Sequence, residues 1–413
     1  MSDWFRFTTL SIVVILRVCF DRADAGDWPQ IMGPDRNGLA EDEQISERWA
    51  TGKPERVWEA QIGSGFAGVA VSDQTVVLFH REKGNDKLTA FAAETGKPVW
   101  TTSFPSTFQP NIVDDDGPRA VPTIDRGSVY AFSAQGNLYC VDLKSGEKRW
   151  ERKTHDDFGA NGGYFGAGSA PLVEGKLVIV NVGGDKKKAG IVAFKADSGK
   201  TAWSAVDDQA SYSAPIAVTC ENTRHLLCVT RLNFVSLDPI NGREQFRTPF
   251  GQRGPTVNGA IPVVTGNHVL LTASYGIGAQ WLKIHADHAE VVWDDETLSS
   301  QYTTPILHDG AFFGIDGRQD GGAISLKCFD PITRTEHWSK SGLKYATLIG
   351  ADGKLLVMQT DGLLRIVRLT KARYEELASA SLMSGTTRAL PALANGRLYV
   401  RNEKTLACFD LTH

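Results

Sequence analysis

The chain has 413 residues, 42% of them hydrophobic and 41 of them glycine, with 44 basic against 48 acidic side chains for a net charge of −4. This is enough apolar material for a large core, and the glycine content points to many turns. A slightly acidic chain argues against nucleic-acid binding, because phosphate contacts call for a basic surface.

Residues 1–25 read as a secretory signal peptide. Arg6 gives a positive start, Phe7 to Leu16 is an apolar run too short to span a bilayer, and Ala23-Asp24-Ala25 offers a cleavage site before Gly26. Cleavage there removes Arg6, Arg17 and Arg22 together with Asp3, Asp21 and Asp24, so the net charge is unchanged. The expectation is a periplasmic or extracellular protein with no transmembrane segment after cleavage. Lipid attachment at Cys19 is the competing possibility. It fits less well, because Arg17 and Val18 stand where small residues are wanted. The remaining cysteines, Cys140, Cys220, Cys228, Cys328 and Cys408, are odd in number, and three share one repeat position. They read as small buried core residues rather than a disulfide framework.

Residues 26–56 form a lead-in segment, and a repeat follows from residue 57 to the end. Trp58, Trp100, Trp150, Trp203, Trp293 and Trp338 each follow a short turn. Phe246 divides the one double-length interval, so the period is about 45 residues, the length of a four-stranded propeller blade. Leu88 to Trp100, Leu138 to Trp150, Ile191 to Trp203 and Phe234 to Phe246 align as hairpins: an alternating strand, a tight turn containing Gly96, Gly146, Gly199 or Gly242, and a strand ending in an aromatic residue. Each unit opens with small residues and, in most, a proline: Pro122, Pro171, Pro215, Pro262, Pro305 and Pro391. Proline suits a strand with an open edge, and the innermost strand of a blade has one, facing the channel. Two positions before the proline slot stand Ala67, Ala120, Ser169, Ser213, Ala260, Thr303, Ala346 and Ala389, all small, as convergence on an axis requires. These eight positions predict an all-β, eight-bladed propeller of four-stranded antiparallel blades. Val57-Trp58-Glu59-Ala60 is a fourth strand without a blade, and the last unit, 389–411, lacks one. Their pairing closes the ring through an N-terminal strand and removes exposed sheet edges. The charged stretch Lys371 to Ala378 is the one candidate for a turn of helix.

One position earlier than the small residues stand Phe66, Arg119, Gly168, Tyr212, Gly259, Tyr302, Tyr345 and Arg388. Here the inner strands enter the channel mouth, and aromatics and arginines are the residue types enriched in binding hot spots. Loops on the same face add Tyr275, Asp316, Arg318 and Asn402, and the longest connections, 101–119 and 151–168, feed it. The competing reading is that these residues cap blade packing. Other features carry less. Asp114-Asp115-Asp116 reads as a solvated loop, and Gly184 to Lys188 as a hairpin tip. His155-Asp156-Asp157 offers acid–base chemistry without a visible pocket, and the glycines of 162–168 lack the strand–loop–helix context of a phosphate loop. His285 and His288 lack partner ligands for a metal. No catalytic, cofactor or metal residue is assigned.

The hairpins resemble the repeat of the pyrroloquinoline-quinone (PQQ) propellers, roughly Leu-x-Ala-Leu-Asp-x-x-Thr-Gly-x-x-x-Trp, over about residues 27–411. Asp27 to Gly38 is similar to the lead-in of that superfamily. The resemblance extends to secreted bacterial repeat proteins grouped with the BamB scaffold of outer-membrane barrel assembly. The repeat is specific for fold and says little of function; the mouth residues are what lead to the expectation of a monomeric scaffold that binds a protein, a peptide or a small anionic ligand there. The superfamily's enzymes are quinoprotein dehydrogenases, which hold PQQ beside Ca²⁺, usually under a disulfide between adjacent cysteines. This chain has no Cys-Cys pair and no Cys-x-x-Cys-His. The expectation is therefore a non-catalytic binding protein without cofactor, with a divergent PQQ-dependent oxidoreductase as the alternative.

Overall fold

The computed structural model describes residues 26–110, 112 and 114–413; the expected signal peptide and Cys19 lie outside them. Eight antiparallel sheets stand around an axis, each of four consecutive strands in seven cases. The eighth combines Ala392–Ala394, Arg397–Arg401 and Thr405–Asp410 with Glu55–Gln61, so the ring is closed by the N-terminal strand. Glu55 pairs with Asp410 and Gln61 with Thr405. All eight small residues at the channel-side slot are buried, at 0–5% exposure. The sheets pack face to face there, and a larger side chain would find no room.

The tryptophan period has a physical cause. Each indole sits on the outermost strand and donates its N–H to a carbonyl in the outer hairpin turn of the next blade: Trp58 to Ala93, Trp100 to Leu143, Trp150 to Ala196, Trp203 to Pro239, Trp293 to Pro331 and Trp338 to Thr370, at 2.8–3.1 Å. Four of these turns present a glycine to the ring: a Cβ on Gly96, Gly146, Gly199 or Gly242 would lie 2.5–2.7 Å from indole carbon. Two units depart from the rhythm. Phe246 faces blade five, whose outer turn is 285–288; the turns facing Trp293 and Trp338 also lack glycine, so the absence of glycine does not by itself account for the phenylalanine. Ala378 takes the tryptophan slot in blade seven, opposite Ile366, because blade eight has chain termini where the next turn would stand. Cys140, Cys328 and Cys408 lie directly across the ladder from Trp150, Trp338 and Trp58, a small residue opposite a large one. All five described cysteines are buried and unpaired.

The stretch 371–378 is not helical. It is a loop leading into the strand Glu376–Ser381, where Arg365 and Tyr374 hold Glu376. The short helix Thr154–Phe158 instead opens the connection after blade two. Gly184 to Lys188 is a hairpin tip, tightened into a single 3₁₀ turn.

The lead-in segment crosses the face opposite the mouth and touches seven blades. Trp28 pairs with Val71 of blade one, and Pro29 accepts Ile124 N–H of blade two. Arg36 donates to Pro171 and Pro215 carbonyls of blades three and four, and Gly38 abuts Ile306 of blade six. Leu39–Ala40 adds a parallel strand to Ala346–Ala351 of blade seven. Glu43 accepts the N–H groups of Asn395 and Gly396 in blade eight. Among the described residues no helix is long and apolar enough to cross a membrane.

Candidate functional site

The mouth opens into an axial cavity of about 420 Å³. Seven of the eight residues at the mouth slot line it: Phe66, Arg119, Gly168, Tyr212, Gly259, Tyr302 and Arg388. They converge because each begins an inner strand. Tyr275 joins them from a hairpin of blade five, and Ile31 of the lead-in segment lines the same cavity from the opposite side of the ring. The lead-in thus makes the channel a cup rather than a tube.

Four expected residues are placed elsewhere. Tyr345 is 1% exposed and packs on the Tyr302 ring with centroids 4.5 Å apart. Its hydroxyl accepts the N–H groups of Tyr302 and Thr303 at 2.9 and 3.1 Å, so it braces the mouth from behind. Asp316 is spent on Ser299 N–H and on Lys327, 2.9 Å away. Asn402 closes its own turn, accepting Lys404 and Thr405 N–H at 2.8 Å each. Arg318 stacks on Tyr275 at 4.7 Å and pairs with Asp320; it borders an adjoining cleft with Arg253 and Gln252 rather than the axial cavity.

The two mouth arginines differ in what they are free to do. Both lie over Phe66, Arg119 at 5.5 Å and Arg388 at 5.1 Å from the ring centroid. Arg119 is committed: it pairs with Asp115 at 3.1 Å and donates to the carbonyls of Phe165, Gly117 and Asp115. Burial pulls its pKa down, and Asp115 opposes that shift. Arg388 makes no ion pair among the described residues, and its Nε is buried without a partner. The one carboxylate lining the cavity, Asp320, is shared with Arg318 and Gln301. Burial pushes the Tyr212 hydroxyl up to about 12 and Tyr302 well above its ordinary value, so both are neutral hydrogen-bonding groups.

Asp115 and Asp116 are not a solvated run. Asp115 accepts Gly65 N–H at 2.8 Å, while Asp116 accepts Ser64 Oγ–H at 2.7 Å and faces Arg81 at 3.5 Å. These bonds tie Asp115 and Asp116 to blade one, and Ile112, a few residues before them, lines the cavity. His155 is not poised for acid–base work: burial lowers its pKa to about 4, and its ring lies against Gly136. Asp157 turns away to pair with Arg152. Sequence reasoning missed Ile31, Ile112, Phe165, Gln301 and Gln319, which also line the cavity. Phe165 had a signal, standing among the glycines of 162–168; the others arrive by chain crossings with no periodic mark.

The axial cavity carries one acid and two amide side chains, Gln301 and Gln319. Among the described residues no group of three or more His, Cys, Asp or Glu is placed to hold a metal, and Asp320 is the cavity's single acid.

A family model described as outer membrane protein assembly factor BamB matches residues 46–156 and 116–340, more than half of the chain. A quinohemoprotein alcohol dehydrogenase (ADH-IIG) of Pseudomonas putida is 35% identical over 79 residues, 19% of this chain and 11% of that protein; the chain thus matches only about a tenth of that relative's length. Among solved structures, BamB from Moraxella catarrhalis superimposes with a TM-score of 0.63 at 16% identity, over 87% of this chain and 100% of that one. Quinohemoprotein alcohol dehydrogenase from Comamonas testosteroni gives 0.66 at 14% identity, over 95% and 81%. The chain shares the propeller both with BamB and with dehydrogenases, and the extent of the family match, with the eightfold repeat, places it in the BamB-like family of PQQ-type β-propellers.

Proposed function

We propose that this is a non-catalytic, extracytoplasmic binding protein whose axial cavity holds an aromatic, negatively charged group of a peptide, protein or small ligand. The observation that carries this reading is Arg388, a guanidinium without an acid partner among the described residues, beside the apolar and aromatic wall of a cavity closed underneath. A carboxylate would complete the charge, and an aromatic ring would lie against Phe66, Tyr212 and Tyr302. The family model, described by an assembly factor, supports a binding role.

The test is a tryptophan-fluorescence or calorimetric screen of peptides carrying a C-terminal aromatic residue and free carboxylate, against their amides. Arg388→Ala should keep the wild-type melting temperature and weaken the carboxylate forms by about tenfold or more, in line with loss of a charge-assisted hydrogen bond. Equal affinity for acid and amide, unchanged in Arg388→Ala, would overturn the reading. The dehydrogenase likenesses favour one alternative. Incubation with PQQ and Ca²⁺ followed by dialysis separates it: one quinone retained per chain, with alcohol-dependent dye reduction, would restore an oxidoreductase.

A further inference from the structure

Between blades three and four, beneath the glycine-rich connection 159–168, lies a second and much smaller cavity of about 40 Å³. Arg231, His155, Tyr164, Tyr212 and Ser211 line it with the backbone of Gly162, Gly163 and Gly166. Arg231 is only 8% exposed. Its Nη1 donates to Thr256 carbonyl at 2.9 Å, and its guanidinium lies 5.7 Å from the Tyr164 ring centroid. Its Nη2 is buried and has no partner among the described residues.

No carboxylate lines this cavity, and Arg231 makes no ion pair among the described residues. Asp208, close in sequence, spends its carboxylate on Thr230, Leu232, Asn233 and Gln209. Other buried arginines are provided for. Arg81 has Asp86 and Asp116, and Arg119 has Asp115. Arg36 and Arg401 lack acids, but every nitrogen of both donates to a carbonyl or amide oxygen. Arg231 alone among these five combines a missing acid with a free Nη2. A water molecule would satisfy the hydrogen bond, whereas an anion would satisfy it and supply a counter-charge as well, which a buried guanidinium favours.

We infer that this cavity is a binding site for a single monovalent inorganic anion of about chloride size, held by Arg231. The volume admits one such ion or a small water cluster and is too small for a hydrated phosphate. The donor set suits an anion. Arg231 supplies the charge, the Tyr212 hydroxyl, which accepts Phe165 N–H at 3.2 Å, keeps its own O–H to donate, and the imidazole of His155 has no hydrogen-bond partner among the described residues. The ion would pin the connection 159–168 against blade four. That connection carries Phe165 to the axial cavity, but the site stands independently of what the axial cavity binds.

The experiment uses the full mature chain with halides as probes. Chloride-35 NMR should show line broadening that bromide competes away, and that Arg231→Gln loses while Arg231→Lys retains more weakly. Crystals grown in bromide should show one anomalous peak beside Arg231 Nη2. Hydrogen exchange in 159–168 should slow several-fold in bromide relative to fluoride at equal ionic strength, in wild type and not in Arg231→Gln. Should Arg231→Gln fail to fold, the wild-type NMR competition and the anomalous map still decide. Water alone at Arg231 in the bromide map, or a peak there with no broadening in solution, overturns the assignment.

Discussion

Trp150 and Gly199 show how one residue pair fixes the seating of one blade on the next. The indole N–H reaches Ala196 carbonyl at 2.9 Å, and Gly199, at φ +65°, lies where a Cβ would come within 2.7 Å of the ring. Gly175 has a similar φ of +60° but open space around it. Gly175→Ala should therefore cost only the left-handed strain, about 1 kcal/mol, while Gly199→Ala adds overpacking and should cost about 2–4 kcal/mol. Urea denaturation of the two variants checks the difference, and equal costs would refute the role given to the indole. His80 carries a pH dependence. Its Nδ1 accepts Gly63 N–H at 2.9 Å, so Nε2 bears the proton and faces Thr89 Oγ1 at 3.0 Å. Burial, aided by the positive charge of Arg401, lowers its pKa from 6.5 to about 4. The folded state thus binds fewer protons than the unfolded chain between those values. The stability it contributes is complete above 6.5 and is lost as pH falls towards 4, by up to about 3 kcal/mol. His80→Gln should melt less differently at pH 7 and pH 4.5 than wild type does.

The closing strand Glu55–Gln61 and the lead-in before it were legible to different degrees. The strand was readable because its tryptophan keeps the period and the last unit lacks a partner. Trp58 is buried against Tyr399 at 5.9 Å and Phe91 at 6.5 Å, joining blades eight and one. Deleting 26–62 removes this ring, worth about 3–5 kcal/mol by itself, and leaves the edge of Thr405–Asp410 unpaired. The truncated protein should lose its cooperative thermal transition; a sharp transition near the wild-type temperature would rule out closure through this strand. The path of the lead-in across seven blades was not readable, because Arg36, Gly38 and Glu43 find backbone partners that no periodicity marks. The Asp114–Asp116 run misled for the same reason: its partners, Arg81, Ser64 and Gly65, are distant in sequence, and an acidic run with unseen partners reads as solvated.

The whole ring decides which mouth residues are structural and which are available. Arg119 ties Asp115, Gly117 and Phe165 together and so couples both long connections to blade two. Arg119→Ala should leave Asp115 buried without its charge partner and cost about 3 kcal/mol or more, lowering the melting temperature by several degrees. Differential scanning calorimetry beside Arg388→Ala, expected to stay near wild type, separates the two roles; equal melting temperatures would show that Arg119 is not a structural tie.

Repetition is what made the fold and most of the mouth legible from residues alone. A slot filled eight times, with small residues at the axis and glycine before tryptophan, declares its environment without coordinates, because the same packing constraint acts on every blade. It also located the mouth slot, seven of whose eight positions line the cavity. Tertiary structure alone decided the rest. Tyr345 left the cavity because two backbone N–H groups captured its hydroxyl. Arg119 was neutralised by an acid four residues away, whereas Arg388 and Arg231 were left without one among the described residues. The free valence of a charge depends on which partners the closed ring brings within hydrogen-bond reach, and that is set by three-dimensional neighbours rather than by spacing along the chain.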